Sequence, residues 1–187
     1  MMATDGNGGP IRSEEPAGGA PNTTYVLAAA IAGSSMAFID GSVVTIALPA
    51  IQQGLGAHLA DLQWVSNAYL LLLGSLILVG GGLGDRIGRR RIFLGGILLF
   101  GAASVVCALA PTVGLLIGAR LVQGVGAALL VPQSLAIISA TFPKDVRGTA
   151  IGTWAAASSI AMSIGPPLGG FLIDLLSWRV AFWINVP

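Results

Sequence analysis

The sequence predicts an all-α integral membrane protein, built as a bundle of about five to six transmembrane helices. Composition is the first reason, because 55% of the residues are hydrophobic, only 9% are charged and the mean hydropathy is +0.85. A soluble domain carries roughly a quarter charged residues. The second reason is that residues 64–84 and 92–119 contain no charged side chain at all. Lipid is therefore the expected solvent for most of the chain.

Charges and turn residues divide the chain into segments that are long enough to cross a membrane. About 20 helical residues, each rising about 1.5 Å, span the roughly 30 Å hydrocarbon layer. Pro111 predicts the turn between the third and fourth spans, because proline disfavours helix in the residue before it. The five predicted spans cover about residues 25–50, 64–84, 92–110, 113–140 and 148–172, and a sixth begins near residue 180.

The first 22 residues differ from the rest in composition. They are rich in Gly, Pro and Ala and carry Asp5, Arg12, Glu14 and Glu15. Such a segment cannot bury an apolar face, so residues 1–22 are predicted to form a disordered cytoplasmic tail. Residues 23–187 then form the transmembrane part of the chain.

The distribution of Lys and Arg predicts the orientation. With a cytoplasmic N-terminus, seven basic residues fall in cytoplasmic segments and only Arg179 falls in an outside loop, as the positive-inside rule requires. Trp64 and Trp178 then lie at outer helix ends, where tryptophan anchors a helix at the interface. Arg outnumbers Lys eight to one, which together with abundant Ala and Gly indicates a GC-rich genome and a bacterial plasma membrane. The seven cytoplasmic residues are Arg12, Arg86, Arg89, Arg90, Arg91, Lys144 and Arg147.

Pairs of small residues four positions apart predict close helix packing. Such pairs place two small side chains on one helix face, which lets helix backbones approach each other in lipid. The abundance of Gly and Ala alone would produce some of these pairs. They are Gly80/Gly84, Gly114/Gly118, Gly124/Ala128 and Gly165/Gly169.

Two charged residues, Asp40 and Arg120, lie well inside predicted spans. A charge at the middle of the membrane costs about 2.5–3.5 kcal/mol, so it normally faces a cavity or a partner. At the helical rise, Asp40 lies about 22 Å from the inner surface and Arg120 about 12 Å from the outer one, so both are expected to line one polar cavity. A carboxylate there can bind a proton when isolated and release it when a guanidinium approaches. A static ion pair between the first and fourth helices is the alternative, and the residues support both equally.

The stretch GGLGDRIGRRR, residues 81–91, holds five charges within its last seven residues. Arg89, Arg90 and Arg91 are expected mainly to orient the chain. An acid among arginines, with glycines that permit close backbone approach, favours a contact that forms and breaks. Asp85 and Arg86 are therefore predicted to belong to a cytoplasmic gate.

The stretch SIGPPLGG, residues 163–170, combines two prolines with three glycines. Pro166 and Pro167 remove two backbone donors, and Gly165, Gly169 and Gly170 lower the stiffness around them. A rigid kink and a bending point of a moving bundle both fit this pattern.

The sequence contains no recognisable catalytic or cofactor site. It has no nucleophile–base set, no His-rich metal set and no phosphate loop of the form GxxxxGK[ST], so we expect neither an enzyme nor a bound metal or cofactor. Cys107 is the single cysteine and lies in an apolar run, where it is expected to be a small packing residue. A net charge of +1 gives no reason to expect nucleic acid as a partner.

Five stretches, in order along the chain, resemble the major facilitator superfamily and specifically its 14-helix drug:proton antiporters. Residues 81–91 are similar to the signature between helices 2 and 3, LIGARLVQGVGAA to the helix-4 signature and AMSIGPPLGG to the helix-5 antiporter signature. IDGSVVTIALP and WRVAFWINVP resemble the helix-1 and helix-6 motifs of the 14-helix group. Ala161, Ser42 and Thr45 depart from the usual residues. The matching residues in the three signatures are Gly81, Leu83, Asp85, Arg86, Gly88, Arg89 and Arg90, then Arg120, Gln123, Gly124 and Gly126, then Gly165, Pro166, Gly169 and Gly170.

The resemblance implies proton-coupled efflux of hydrophobic or cationic drugs by alternating access. Asp40 and Arg120 would then serve proton coupling, and the helix-5 signature would serve gating. A transporter of this kind has two six-helix halves, so the chain is expected to be a truncated N-terminal portion. Its partners would be the missing C-terminal half, a small hydrophobic substrate, protons and the lipid bilayer. A partial sequence, a truncated gene product and half of a split system all fit.

Two alternatives stay open within this resemblance: an exporter of one specific metabolite or antibiotic, and a non-transporting truncated remnant. A membrane scaffold or regulatory subunit is a third possibility from a different class. The buried charges Asp40 and Arg120 argue against a scaffold, because a scaffold has no use for them.

Overall fold

Six helices make up the described part of the chain, residues 23–186, in the computed structural model. They are α1 (Thr23–Leu55), α2 (Leu59–Ile87), α3 (Arg89–Leu109), α4 (Val113–Thr141), α5 (Lys144–Leu175) and α6 (Val180–Trp183). Helices α1 to α5 are each long and apolar enough to cross a membrane, and the described residues contain no strand. The predicted fold class, an all-α membrane bundle, is confirmed. The predicted tail, residues 1–22, lies outside the described residues.

Polar caps extend the helices beyond their apolar spans. At the start of α2, the backbone N–H of His58 donates to the Asp61 carboxylate (2.9 Å). At the start of α4, the hydroxyl of Thr112 accepts from the backbone N–H of Leu115 (3.4 Å). Such bonds satisfy backbone donors that the first turn of a helix leaves without a partner. Hydropathy marks only the apolar part of a helix, so it does not locate these ends.

Gly88 alone joins α2 to α3. Its φ of 110° lies in a region that residues with a side chain rarely adopt. Its N–H donates to the carbonyl of Gly84 (3.0 Å), which ends α2 just before α3 begins. Glycine at this position therefore permits a one-residue turn, and the charges of residues 85–91 lie directly on either side of it.

Helix α4 lies at the centre of the bundle and contacts α1, α2, α3 and α5. Short connections make successive helices antiparallel, so α1, α3 and α5 begin at one end of the bundle. We call this the Arg89 end and the opposite one the Trp178 end. Buried apolar side chains fill the interior from Leu116 and Phe182 to Ile138, whereas many large hydrophobic side chains on the outside are exposed. An exposed apolar exterior of this kind suits contact with lipid.

Three of the four small-residue pairs face a neighbouring helix, as the sequence predicts. A Cβ at Gly124 would lie 2.6 Å from the carbonyl oxygen of Tyr69 in α2, so only glycine fits there. A Cβ at Gly114 or Gly118 would instead meet no described atom within 4 Å, so this pair brings no helices together. The other close approaches are Gly80 against Ala128, Gly165 against Ser42 and Gly169 against Val43.

The structure corrects the prediction that Trp178 is an interfacial anchor. Its side chain is only 4% exposed, whereas Trp64 is 53% exposed. The Trp178 ring lies against Gly54 of α1 and packs edge-to-face on Phe182, with centroids 6.2 Å apart. The segment after α5 folds back onto the bundle and buries this tryptophan, which spacing along the sequence could not indicate.

Candidate functional site

Asp40 of α1 and Arg120 of α4 form a buried ion pair. The Asp40 Oδ2 atom accepts a hydrogen bond of 2.5 Å from Arg120 Nη1. The side chains are 0% and 2% exposed, respectively. The two residues that the depth estimate placed at similar levels are thus in direct contact, but in the closed interior of the bundle and not on the wall of an open cavity.

The guanidinium of Arg120 has further partners on several sides. Its Nε donates to the backbone carbonyl of Val65 (3.1 Å), and its Nη1 also donates to Gln123 Oε1 (2.8 Å). Its Cζ atom lies 4.3 Å from the ring centroid of Tyr69 and 5.9 Å from that of Phe182. Aromatic faces attract a cation, so the arginine keeps favourable contacts besides the carboxylate.

The second carboxylate oxygen, Asp40 Oδ1, accepts from two side-chain amides. Gln123 Nε2 and Asn185 Nδ2 each donate to it at 2.9 Å. The same two amide nitrogens donate to Ser104 Oγ at 3.1 and 3.0 Å, and the Ser104 hydroxyl donates to the carbonyl of Phe182 (3.0 Å). All these side chains are buried. Together with Arg120 they form what we call the Asp40 network, in which α1, α3, α4 and the segment after α6 meet.

Residue spacing explains part of this arrangement. Arg120 and Gln123 are three residues apart on α4, which places them on the same helix face. Ser104 and Cys107 are likewise three apart on α3, and the Cys107 thiol donates to Gln123 Oε1 (3.6 Å). The cysteine is buried beside the network, in keeping with the packing role expected for it.

Sequence reasoning named Asp40, Arg120 and Gln123 but missed Ser104 and Asn185. Ser104 carries a hydroxyl inside the apolar, charge-free run of residues 92–119, and that contrast was the available signal. Asn185 lies in a motif that had been used only for its family resemblance. Nothing in the sequence indicates that a residue 145 positions after Asp40 would reach its carboxylate.

At the Arg89 end, Asp85 pairs with Arg89. Both Nε and Nη2 of Arg89 donate to Asp85 Oδ1, at 3.2 and 2.9 Å, and Nη1 donates to the carbonyl of Ala136 in α4 (2.9 Å). Arg86, which the sequence analysis grouped with Asp85, is exposed and forms no ion pair within residues 23–186. The structure therefore places Asp85 in contact with Arg89, one of the arginines expected mainly to orient the chain.

Gln133 of α4 was not singled out from the sequence. Its Nε2 donates to the carbonyls of Gly80 (2.8 Å) and Gly81 (3.3 Å) in α2, and its amide fills the space where Gly84 would carry a Cβ. It is buried, and its Oε1 accepts no hydrogen bond from residues 23–186. The carbonyls of Gly80 and Gly81 thus share one glutamine as donor, and Gly84 leaves room for its amide.

Helix α5 runs without a break through Pro166 and Pro167. Gly165 lies against Ser42 of α1, and a Cβ at Gly169 would lie 2.7 Å from Val43 Cγ1. Gly170 meets only Ile46, at the ordinary distance of 3.8 Å. Gly165 and Gly169 therefore permit the close approach of α5 to α1, whereas Gly170 has room for a side chain beside α1.

A bundle of long apolar helices with an enclosed acid–base pair defines a multi-pass membrane protein of the transporter class. The chain belongs to the Major Facilitator Superfamily, whose sequence pattern matches residues 30–187. The interpretation that the chain is not an enzyme is confirmed by this membership.

Curated relatives include resistance proteins of actinobacteria. The chain is 40% identical over 190 residues to the methylenomycin A resistance protein of Streptomyces coelicolor, covering 100% of this chain and 40% of that protein. It is 40% identical over 161 residues to the tetracenomycin C resistance and export protein of Streptomyces glaucescens, covering 86% and 30%. Identity to the multidrug resistance protein Stp of Mycobacterium tuberculosis is 42% over 156 residues, covering 83% and 29%. The chain therefore spans between 29% and 40% of the length of these relatives.

Solved structures show the same fold. The peptide transporter POT matches with a TM-score of 0.75 at 18% identity, over 88% of this chain and 34% of that one. A bacterial homologue of the human lysosomal transporter Spinster, inward-facing and unoccupied, matches with a TM-score of 0.71 at 22% identity, over 89% and 40%. At these identities the match supports the fold alone.

Proposed function

We propose that this chain forms the N-terminal helical bundle of a proton-coupled exporter and carries its proton site. The complete transporter would export hydrophobic or cationic drugs by alternating access, with a C-terminal half completing the substrate path. The observation that carries the proposal is the buried pair of Asp40 and Arg120. The names of these three relatives all refer to resistance, and one refers to export as well, which supports the direction of transport.

Proton binding at Asp40 would loosen the contact between α1 and α4. A neutral carboxyl no longer attracts the guanidinium as an ion, so Arg120 would lose its one ion pair within residues 23–186. Arg120 would keep the Val65 carbonyl, Gln123 and the face of Tyr69, so its charge would not be left without partners. The site can therefore exist with and without the proton, as a carrier requires and a static strut does not.

The charge distribution supports an orientation with the Arg89 end in the cytoplasm of a bacterium. Six described basic residues lie near that end, and only Arg179 lies at the Trp178 end. The positive-inside rule places the end that is richer in Lys and Arg in the cytoplasm. The six are Arg86, Arg89, Arg90, Arg91, Lys144 and Arg147. In this orientation the contact from Asp85 through Arg89 to the Ala136 carbonyl would be part of a cytoplasmic gate.

Export of one specific antibiotic is the second candidate function. It is favoured by the names of two relatives, each of which refers to a single compound. A panel of substrates tested on one transporter separates the two candidates, because a multidrug exporter would lower the susceptibility of cells to several unrelated compounds.

Efflux from energised cells tests the proposal. Cells producing the complete transporter that contains this chain are loaded with ethidium, and its loss is followed with and without a protonophore. Export should stop with the protonophore and with Asp40→Asn, and it should persist with Asp174→Asn, which changes an exposed acid of α5. Export that continues without a proton gradient would rule out the antiport mechanism. Production of residues 1–187 alone should give no export, and export by that chain would contradict the need for a second half.

A further inference from the structure

The segment after α5, residues 178–186, is fastened to the bundle at several points, and the proposed function does not use it. Trp178 lies against Gly54 of α1. Arg179 Nη2 donates to the carbonyl of Ala110 at the end of α3 (2.9 Å). These contacts hold the start of the segment at the Trp178 end, from which it passes inward to Asn185.

Asn185 reaches the proton site from this segment. It is only 4% exposed, and its side-chain nitrogen has two hydrogens for two acceptors. One acceptor is Asp40 Oδ1 (2.9 Å) and the other is Ser104 Oγ (3.0 Å). Both of its amide hydrogens are thus used inside the Asp40 network.

We infer that Asn185 is a positioning residue that holds Asp40 in its ionised, Arg120-paired arrangement and links residues 178–186 to the proton site. A hydrogen bond donated to a carboxylate favours the ionised form over the protonated one. Asn185 is one of three donors to this carboxylate, beside Arg120 and Gln123. It is the only one of the three that lies outside α4.

With Asp40 ionised, the Ser104 hydroxyl has no hydrogen-bonding capacity left. Ser104 Oγ accepts from both amides and donates to the Phe182 carbonyl, so both of its lone pairs and its hydrogen are engaged. A proton on Asp40 Oδ1 would occupy a lone pair that an amide now uses, so at least one of the bonds from Gln123 and Asn185 must break. Protonation there therefore disturbs the contact between Asp40 and Asn185, and through it the position of residues 178–186.

Other titratable or charged groups face Asp40 from three helices. Arg120 comes from α4, Tyr69 from α2 and Cys107 from α3. Arg179, in the same segment as Asn185, is bonded to Ala110 at the Trp178 end. Substitution of Asn185 leaves all of these groups in place, so a change in protonation can be assigned to its amide.

This inference rests on Asp40 being the proton carrier of the proposed function. The experiment below distinguishes failure of the Asn185 role from failure of the carrier role of Asp40. Membranes containing the chain are treated with dicyclohexylcarbodiimide, which reacts with protonated carboxyls in apolar surroundings, from about pH 5 to about pH 9. The labelled peptide is identified by mass, and Asp40→Asn should abolish its label. The variants are Asn185→Leu, which removes the donor, and Ser104→Ala, which removes the three bonds of the Ser104 hydroxyl but leaves every donor to Asp40.

Asn185→Leu should raise the labelling of Asp40 about tenfold at high pH and leave the rate at low pH unchanged. Ser104→Ala should change the profile much less. The matched control Asn67→Leu, on an exposed position of α2, should leave it as in the parent.

Three outcomes would overturn the inference. Equal acceleration at every pH would show that Asn185→Leu merely exposes the carboxyl. An unchanged profile would refute the role of Asn185 while the proton carrier stands. Failure to label Asp40 in any variant would refute the carrier and this inference together.

Discussion

Gly80 of α2 lies directly against the carbonyl oxygen of Ala128 in α4. That oxygen would accept from the N–H of residue 132 in a regular helix, but Pro132 has none. The carbonyl of Gly80 in turn accepts from Gln133 Nε2 (2.8 Å). The two helices therefore approach most closely where proline frees an acceptor, and glycine is the residue that permits the approach.

Gly80→Ala should lower the stability of the bundle. The new methyl group would overlap the Ala128 backbone, which cannot move aside as a side chain can, and overpacking of this kind costs about 1–3 kcal/mol. Thermal unfolding in detergent should occur several degrees lower than in the parent. Gly82→Ala is the control, because Gly82 meets no described atom within 4 Å. Equal melting temperatures for the two variants would contradict the close approach.

Breaking the ion pair should cost more from one side than from the other. Asp40→Leu leaves the guanidinium of Arg120, which cannot lose its proton, whereas after Arg120→Met the carboxyl of Asp40 can become neutral by binding one. Removing one partner of a buried pair costs about 3–5 kcal/mol of stability. Arg120→Met should therefore lower the free energy of unfolding less than Asp40→Leu does. The double variant should recover much of the loss. Unfolding of the four proteins measures this, and equal costs would argue against a protonatable Asp40.

The sequence predicted the class of fold and the two charges of the site, because both follow from simple physical costs. Long charge-free apolar segments are compatible with few folds. Asp40 and Arg120 stand out because placing a charge in lipid has a high free-energy cost. The network around them could not be predicted. Ser104 and Asn185 are uncharged, and their importance depends on where α3 and the segment after α5 are placed by tertiary packing.

The partner of Asp85 could not be predicted for a related reason. Arg86, its neighbour in sequence, forms no ion pair within residues 23–186, whereas Arg89 lies one turn further on and across Gly88. The φ of that glycine sets the direction of the turn, and the sequence shows that a glycine is present but not the angle that it adopts. Spacing therefore found the cluster of charges without identifying the contact inside it.

Arg89→Gln should loosen the Arg89 end more than Arg90→Gln does. Arg89 bonds both Asp85 and the Ala136 carbonyl, while Arg90 forms no ion pair within residues 23–186. An exposed pair contributes at most about 1 kcal/mol, so the effect should be local. Hydrogen exchange around Gly88 should be faster in Arg89→Gln only. Similar exchange in both variants would mean that the arginines of this stretch share one role in orienting the chain.

The glycines of the helix-5 signature should differ in their effect on stability when each is replaced by alanine. Gly165→Ala would push against Ser42, and a Cβ at Gly169 would lie 2.7 Å from Val43 Cγ1, so both should separate α5 from α1 and lower the unfolding temperature. Gly170→Ala should leave stability unchanged or slightly raise it, because its Cβ would meet Ile46 at 3.8 Å and alanine favours helix by about 1 kcal/mol. Loss of transport in Gly170→Ala with unchanged stability would assign that glycine to motion of the bundle. Loss of stability in Gly170→Ala would instead contradict the α1–α5 contact described here.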